Sequence, residues 1–392
     1  MYDIIIVGGG ITGASLALSL AQQSTLSIAI LESQSQLSEW SSSHYHHRVS
    51  AISLASKRFF QSLHIWDDIE KKRVSPYTQI KVWDGGEGPE IHFDSAEIAE
   101  PALGYIIENQ LIQTVLNEKI KSYAHIDIIT GAKLTDYQNY SDRVILKTAE
   151  HGDFSASLVI AADGANSWLR QQAGLHLTQD DYEENAIVAT VRTSLPHEKI
   201  ARQIFLPTGP IAFLPLQDPF LSSIVWTLPA QQAANKLTLD TTNFQTELTD
   251  AFAKKLGDVT EVSERFIFPL KRHRANQYVK SRLALIGDAA HLVHPLAGQG
   301  LNMGLADVKT LSEIIMSAIK NRREFGSLAT LRRYERWCKG EHFALFHAID
   351  LIKKIYAEEK QAIKTARTVG LKVMNSCDWM KKMVMKYAVG KI

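Results

Sequence analysis

The 392-residue chain is poor in cysteine, carries almost no net charge and has no long apolar run. Its two cysteines, Cys338 and Cys377, have no paired-ligand spacing. That argues against a disulfide framework or a cysteine-based zinc site, and a reducing cytoplasm is the expected compartment. Lys and Arg (43) balance Asp and Glu (42) to a net charge of +1, so no global field favours nucleic acid as a partner. No stretch approaches the roughly 20 apolar residues of a bilayer span, so any membrane contact is expected to be peripheral, at the inner face. The first residues lack the basic flank and small-residue cleavage site of a signal peptide. There is no internal repeat and no low-complexity tract. His44, His46 and His47 cluster without a carboxylate or cysteine partner at matching spacing, which reads as a polar loop near the active site and not as a metal centre.

What is present is a globular composition, 45% hydrophobic and 22% charged, over a length that suggests two closely packed domains. Residues 3–7 read as a fully buried parallel strand, since Ile4-Ile5-Ile6-Val7 is β-branched and apolar without alternation. A helix is expected from Ile11 to Gln22, with Ile11, Ala14, Leu18 and Ala21 on one face, then a strand from Ser27 to Leu31. Helices are expected over 55–72 and 108–121, strands over 79–84, 90–93 and 158–162. Between about 178 and 270 short β-rich runs recur, punctuated by Pro and Gly, with one helix near 243–256. A buried-type strand, 283–286, and helices over 301–319 and 328–347 follow. The fold class is therefore α/β, a Rossmann-like cofactor domain with an inserted, mostly antiparallel sheet and a C-terminal helical segment.

Gly8-Gly9-Gly10-Ile11-Thr12-Gly13 stands between the first strand and the first helix. Gly8 permits a tight turn, Gly10 lets the backbone reach a pyrophosphate, and Gly13 lets helix and strand pack closely. The helix N-terminus favours the anion electrostatically. Glu32 lies 19 residues beyond Gly13, where a carboxylate accepts hydrogen bonds from an adenosine ribose. This end alone suits NAD or FAD. The discriminator is Gly287-Asp288-Ala289-Ala290-His291, placed after another strand nearly three hundred residues later and continuing through Pro295 to Gly298-Gln299-Gly300-Leu301-Asn302. A flavin needs this second set of contacts. Asp288 can accept from a ribityl hydroxyl, and the N–H groups of a helix beginning near Leu301 can face the flavin edge that becomes negative on reduction.

These residues resemble the single-component flavoprotein aromatic hydroxylases and, within them, the ubiquinone-biosynthesis hydroxylases. The resemblance runs nearly the whole length. It is carried by the segment from Gly287 to Gly304, by Leu103-Gly104-Tyr105-Ile106-Ile107-Glu108-Asn109, and by Arg367-Thr368-Val369-Gly370-Leu371-Lys372. It implies that Gly8, Gly10, Gly13 and Glu32 hold the ADP half of FAD, that Arg48 lies near the diphosphate and ribityl part, and that Asp163 and Gly164 belong to a motif tied to FAD and pyridine-nucleotide use. It implies Asp288 at the ribityl chain, Gly300, Leu301 and Asn302 at the ring, and Pro295 facing the substrate. Where relatives often carry Arg after the Glu-Asn pair, this chain has Gln110, which can still hydrogen-bond the cofactor.

The implied domains are an FAD-binding domain in three parts (1–75, 97–177 and 271–330), substrate-domain strands at 76–96, a substrate-binding sheet at 178–270, and C-terminal helices at 331–392. The implied reaction is hydroxylation of a polyprenylated phenol in ubiquinone biosynthesis, by NAD(P)H reduction of FAD and attack of a flavin C4a-hydroperoxide on the ring. NAD(P)H is expected to bind transiently beside the flavin, since no second glycine motif follows a strand. His291 is a candidate acid–base group, with a structural role in the loop as the stronger reading. Phe213, Pro215 and Trp226 are candidates for substrate contact or for core packing. The alternative functions are hydroxylation of a small soluble phenol, or a flavin-binding assembly component without turnover.

Residues 353–392 hold ten Lys or Arg against three Asp or Glu. Leu371, Met374, Cys377, Met380, Val384 and Tyr387 could make one apolar stripe. Such a helix suits an anionic membrane surface, subunits of a ubiquinone-biosynthesis complex, or the chain's own core.

Overall fold

The computed structural model describes residues 1–37, 39–85, 90–293, 298–341 and 377–390. The first sheet is built on five parallel strands in the order Leu283–Leu285, Asp153–Ala161, Tyr2–Val7, Ile28–Glu32 and Ile126–Thr130. Within the central three, residues 158–161, 4–7 and 28–31 are buried on both faces, which is why they read as unbroken apolar runs. Helices Ile11–Ala21 and Gly300–Lys320 pack together against them, joined by the buried Ser19–Ser312 hydroxyl pair.

The second sheet has nine strands and is mostly antiparallel, its long members being Leu177–Thr193, Ile200–Leu206, Gly209–Pro215, Leu221–Pro229 and Phe266–Ala275. The hairpin Gln79–Asp84 and Glu90–Asp94 joins it through a parallel pairing with Ile200–Leu206. A small third sheet, Val49–Ser53, Gly104–Glu108 and Ser75–Tyr77, lies along the connections between the other two.

Side-chain parity divides the second sheet cleanly. Ile211, Trp226, Ile187 and Ile267 form one row across four strands and face helices Ala230–Leu237 and Thr241–Ala251, making a separate core with Phe213, Phe244 and Phe252. The next row, Ala212, Val225, Val188 and Phe266, points the opposite way and is only half buried.

Three expectations change in detail. The helix expected over 55–72 is two helices, Leu54–Ser62 and Trp66–Glu70, because His64 takes a left-handed conformation (φ 54°) that turns Leu63, Ile65 and Trp66 all inward. One of the short β-rich runs expected between 178 and 270, over 187–192, belongs to a 17-residue strand, Leu177–Thr193, whose polar first half carries no strand signal and shifts register between Asp181 and Glu184. Helix Ala230–Leu237 was not expected. It buries only Ala233, because its apolar face is three alanines and Leu237, too small a signal in a segment read as strands. The expected helix over 328–347 is seen as far as residue 341, and the rest lies outside the described residues.

Of the C-terminal segment, helix Asp378–Ala388 is described, while Leu371, Met374 and the motif 367–372 lie outside. Of the expected stripe, Cys377 is half buried and Val384 is exposed, and the side chains of Met380 and Tyr387 lie outside the described residues. Lys381, Met385 and Val389 are turned inward. The Lys381 ammonium pairs with Glu97, the Val389 carbonyl accepts from Ala55 N–H, and Arg58 donates to the Gly390 carbonyl.

Candidate active site

The three motifs converge on the N-terminus of helix Ile11–Ala21. Gly8 lies against the second motif: a Cβ there would stand 2.4 Å from the Ala162 carbonyl oxygen and 2.9 Å from the Asp163 nitrogen. Gly13 packs still closer, with a Cβ position 2.0 Å from the Gly8 oxygen. Thr12 meets the third motif, its side chain lying against both Gly287 and Gly304. Chain segments more than a hundred residues apart therefore share one turn.

The residues present fit the cofactor that this arrangement implies. No atom lies within 4 Å of a Cβ position on Gly10, so the glycine backbone faces open space where a pyrophosphate would approach. Glu32 accepts from Gly9 N–H at 2.8 Å through Oε2 and from Gln34 N–H at 2.8 Å through Oε1. Oε1 also accepts from Ser33 Oγ at 3.3 Å, so Oε2 is the oxygen that keeps a second lone pair for a ribose hydroxyl. Asp163 takes Leu169 N–H on Oδ2 at 3.1 Å, and its buried Oδ1 has no hydrogen-bond partner. At the far end, helix Gly300–Lys320 starts with no side-chain cap and no acidic residue in its first turn, and a Cβ on Gly300 would meet nothing. Its first N–H groups keep their positive end for a ligand.

Asp288 sits on the turn Gly287–Ala289, held by its neighbours' backbone. His273 Nε2 bonds the Asp288 carbonyl at 2.9 Å, Arg170 donates to the Ala289 carbonyl at 2.9 Å, and Gly287 N–H donates to Asp307 at 2.9 Å. Burial pushes the Asp288 carboxyl above the usual carboxylate range, and the nearby His291, Arg48 and His273 oppose that shift. Arg48 is thus brought to Asp288 from the loop before the small third sheet, with its guanidinium 5.8 Å from the Phe268 ring centre. Burial likewise raises Asp163.

His291 is buried, and its Nε2 lies 2.5 Å from Asp307 Oδ2 behind the turn. It is thus tied to a buried carboxylate on the helix Gly300–Lys320. Asn302 is a cross-link: Oδ1 accepts from Ser53 N–H (3.0 Å) and Ser56 Oγ (2.7 Å), and Nδ2 donates to the carbonyls of Ala51 (2.8 Å) and Gly298 (3.2 Å). Leu301 is half buried beside it. Gln110 donates to the Glu39 carbonyl at 2.6 Å and so ties down the loop carrying Arg48. Gly164 (φ 80°) turns the chain after Asp163, and Pro295 lies outside the described residues.

Phe213 and Trp226 do not reach the cofactor side. Both belong to the core beneath helices Ala230–Leu237 and Thr241–Ala251, Phe213 stacked on Phe252 at 3.9 Å, so their substrate-lining role is replaced by core packing. Pro215 follows Phe213 by two residues, on the same face, and is buried. The face turned to the cofactor domain carries the alternate residues, with His47 stacked on Phe266 (3.9 Å) and near Phe268 (5.9 Å). Burial lowers the His47 imidazole.

Sequence reading missed Asp307, His273, Arg170 and Gln113, whose amide donates to the Gly9 carbonyl at 2.7 Å. Asp307 left one usable trace: a carboxylate on the same helix face as Met303 and Leu311 has to be paired.

The FAD-binding-domain family matches residues 1–339. The chain is 32% identical over 388 residues to the 3-demethoxyubiquinol 3-hydroxylase of Escherichia coli strain K12, covering 99% of this chain and 98% of that one. It is 32% identical over 390 residues to the ubiquinone hydroxylase UbiL of Rhodospirillum rubrum, covering 100% of this chain and 90% of that one. Among solved structures, p-nitrophenol 4-monooxygenase PnpA of Pseudomonas putida superposes with a TM-score of 0.80 at 19% identity, over 99% of this chain and 98% of that one, which is a likeness of fold. With its dinucleotide turn, its second flavin-type motif and its inserted sheet, the chain belongs to the family of FAD-dependent monooxygenases that contains the ubiquinone-biosynthesis hydroxylases.

Proposed function

We propose that this protein hydroxylates the aromatic ring of a polyprenylated phenol in ubiquinone biosynthesis, with FAD as resident cofactor, NAD(P)H as reductant and dioxygen as co-substrate. The observation that carries this reading is the end-to-end similarity to the E. coli 3-demethoxyubiquinol 3-hydroxylase. Bound FAD supplies the redox chemistry that links NAD(P)H to dioxygen.

The chain's own residues would do the rest. Gly8, Gly10, Gly13 and Glu32 would take the ADP half of the cofactor, Arg48 and Asp288 its middle, and the N-terminus of helix Gly300–Lys320 the ring edge, with Gly300 and Leu301 nearest. Asn302 would hold that helix end to the strand Val49–Ser53. The half-buried row Ala212, Val225, Val188 and Phe266 offers the apolar surface over which an aromatic ring would lie shielded from water. The chain would then divide into an FAD-binding domain at 1–75, 97–177 and 271–330, substrate-domain strands at 76–96 and 178–270, and C-terminal helices from 331.

A polyprenyl tail is insoluble in water, so the substrate would be met at a membrane or on a lipid-presenting partner. Trp379 and Met383 stand exposed one helical turn apart beside Lys382 and Lys386, which suits the inner face of an anionic bilayer. Deleting the gene and analysing the accumulated quinone precursors by mass tests the function. A precursor lacking one ring hydroxyl supports it. An unchanged quinone pool with lost consumption of a soluble phenol would transfer the activity to small substrates.

A further inference from the structure

Between strands Ile28–Glu32 and Val49–Ser53 the chain crosses from the first sheet to the third, and this crossing carries Arg48 at its end. Over residues 40–46 it has no strand or helix of its own, yet it is gripped by two buried charges. Glu108 is 3% exposed, at the end of strand Gly104–Glu108. Its Oε1 accepts from His46 N–H at 2.7 Å, and its Oε2 accepts from the Trp40 indole N–H at 3.1 Å. Arg73 is 9% exposed and stands 3.3 Å from the same Oε2. The Arg73 fork also donates to the carbonyls of His44 (3.0 Å) and Ser42 (2.5 Å), and its guanidinium lies over the rings of Tyr45 (4.2 Å) and Trp40 (5.0 Å).

Such a density of backbone and ring anchors on one short segment exceeds what a connection needs. A buried ion pair is a weak device for stability alone, because desolvation offsets most of its Coulomb energy, and its better use is to fix geometry. Here the geometry fixed is that of Arg48. Its carbonyl accepts from Asn109 N–H at 3.0 Å, directly after Glu108, and its guanidinium acts on Asp288. The same segment reaches the second sheet, where His47 stacks on Phe266 at 3.9 Å.

We propose that the Glu108–Arg73 pair is a positioning device that holds residues 40–48 as a strap across the cofactor cleft, so that Arg48 is presented to the middle of bound FAD. Neither residue touches the cofactor. Both act through the strap. The proposal rests on the family's cofactor and not on the identity of the substrate.

The test uses the full-length holoenzyme, with two readouts: the FAD dissociation constant by flavin fluorescence titration, and tryptic cleavage after Arg48 followed by mass. In Glu108→Gln the constant rises about tenfold, equivalent to about 1.4 kcal/mol, and cleavage after Arg48 becomes fast and is slowed again by saturating FAD. Arg73→Lys keeps the charge but cannot span Glu108, His44 and Ser42 together, and gives a smaller rise in the same direction. If Glu108→Gln does not fold, Arg73→Lys decides by the same readouts. Arg282→Met removes another buried arginine, one that pairs with Glu324 and bonds the Ser141 and Ser157 carbonyls away from the cleft. It lowers the melting temperature and leaves the FAD constant unchanged. A folded Glu108→Gln or Arg73→Lys protein that binds FAD within twofold of wild type overturns the proposal. So does an Arg282→Met protein that loses FAD to the same degree as Glu108→Gln.

Discussion

At the scale of single residues, buried polar groups set what the site can do. Asp288 is a carboxyl raised by burial and opposed by Arg48, His273 and His291, so its charge is held by partners that the loops deliver. On the proposed reading, removing its side chain takes away the acceptor for a ribityl hydroxyl and leaves the carbonyl that His273 binds. Asp288→Ala should therefore fold, and purify with most of its FAD missing, as read from the ratio of flavin to protein absorbance. Full flavin occupancy would contradict its placement at the ribityl chain. His197 permits a statement about pH. Its Nε2 faces the carbonyls of Leu216 (2.9 Å) and Asp218 (3.0 Å) and must donate, while Nδ1 takes Lys199 N–H (3.0 Å) and must accept. Protonation would set one N–H against another, and burial lowers the imidazole below its ordinary 6.5. A depressed native value means that stability is present above pH 6.5 and is lost as pH falls from there through the native value. Urea unfolding of the wild type should weaken across that window by up to about 1.4 kcal/mol per pH unit from this residue. His273, also lowered by burial, acts in the same direction. In His197→Gln the slope should become shallower.

At the scale of elements, the turn from Val7 to Ile11 shows why spacing can be read where chemistry cannot. A glycine at 13 is required by a helix lying 2.0 Å, at the Cβ position, from the Gly8 carbonyl. No side chain fits, and the obstacle is backbone. Gly13→Ala should thus push the helix from the strand and carry Gly9 and Gly10 with it. The expected result is loss of FAD binding together with a stability loss of roughly 3 kcal/mol, measured by denaturant midpoint. A Gly13→Ala protein that kept wild-type affinity would contradict the packing. This turn, the buried strands and Glu32 were legible because each follows from local rules. Asp307, His273 and Arg170 were not, since their role is to bond main-chain groups of a turn formed by residues 287–289. Such partners are chosen by the tertiary fold, and beyond the trace left by Asp307 on its apolar helix face no local spacing announces them. Phe213 and Trp226 illustrate the other limit. Their strands were foreseen, but the face of a two-sided buried sheet that meets the cofactor cannot be told from alternation when both faces are apolar.

At the scale of the whole molecule, the chain's end is tied to its cofactor region through one relay. Helix Asp378–Ala388 buries Met385 and Val389 against the first core, and Val389 supplies the carbonyl that Ala55 N–H needs at the start of helix Leu54–Ser62. That helix follows Ser53, whose N–H is bound by Asn302 at the head of helix Gly300–Lys320. Deleting residues 377–392 should uncover the apolar core surface that Met385 and Val389 cover and leave Glu97 without Lys381, at a cost of about 3 kcal/mol from lost burial. FAD affinity should fall by less than twofold, because Asn302 keeps Ser56 Oγ and the Ala51 and Gly298 carbonyls whether or not the terminal helix is present. Denaturant unfolding and flavin titration of the truncated protein separate the two effects. If affinity collapsed together with stability, the start of helix Leu54–Ser62 would be set by the C-terminal helix and not by Asn302, and the terminal segment would count as part of the cofactor site.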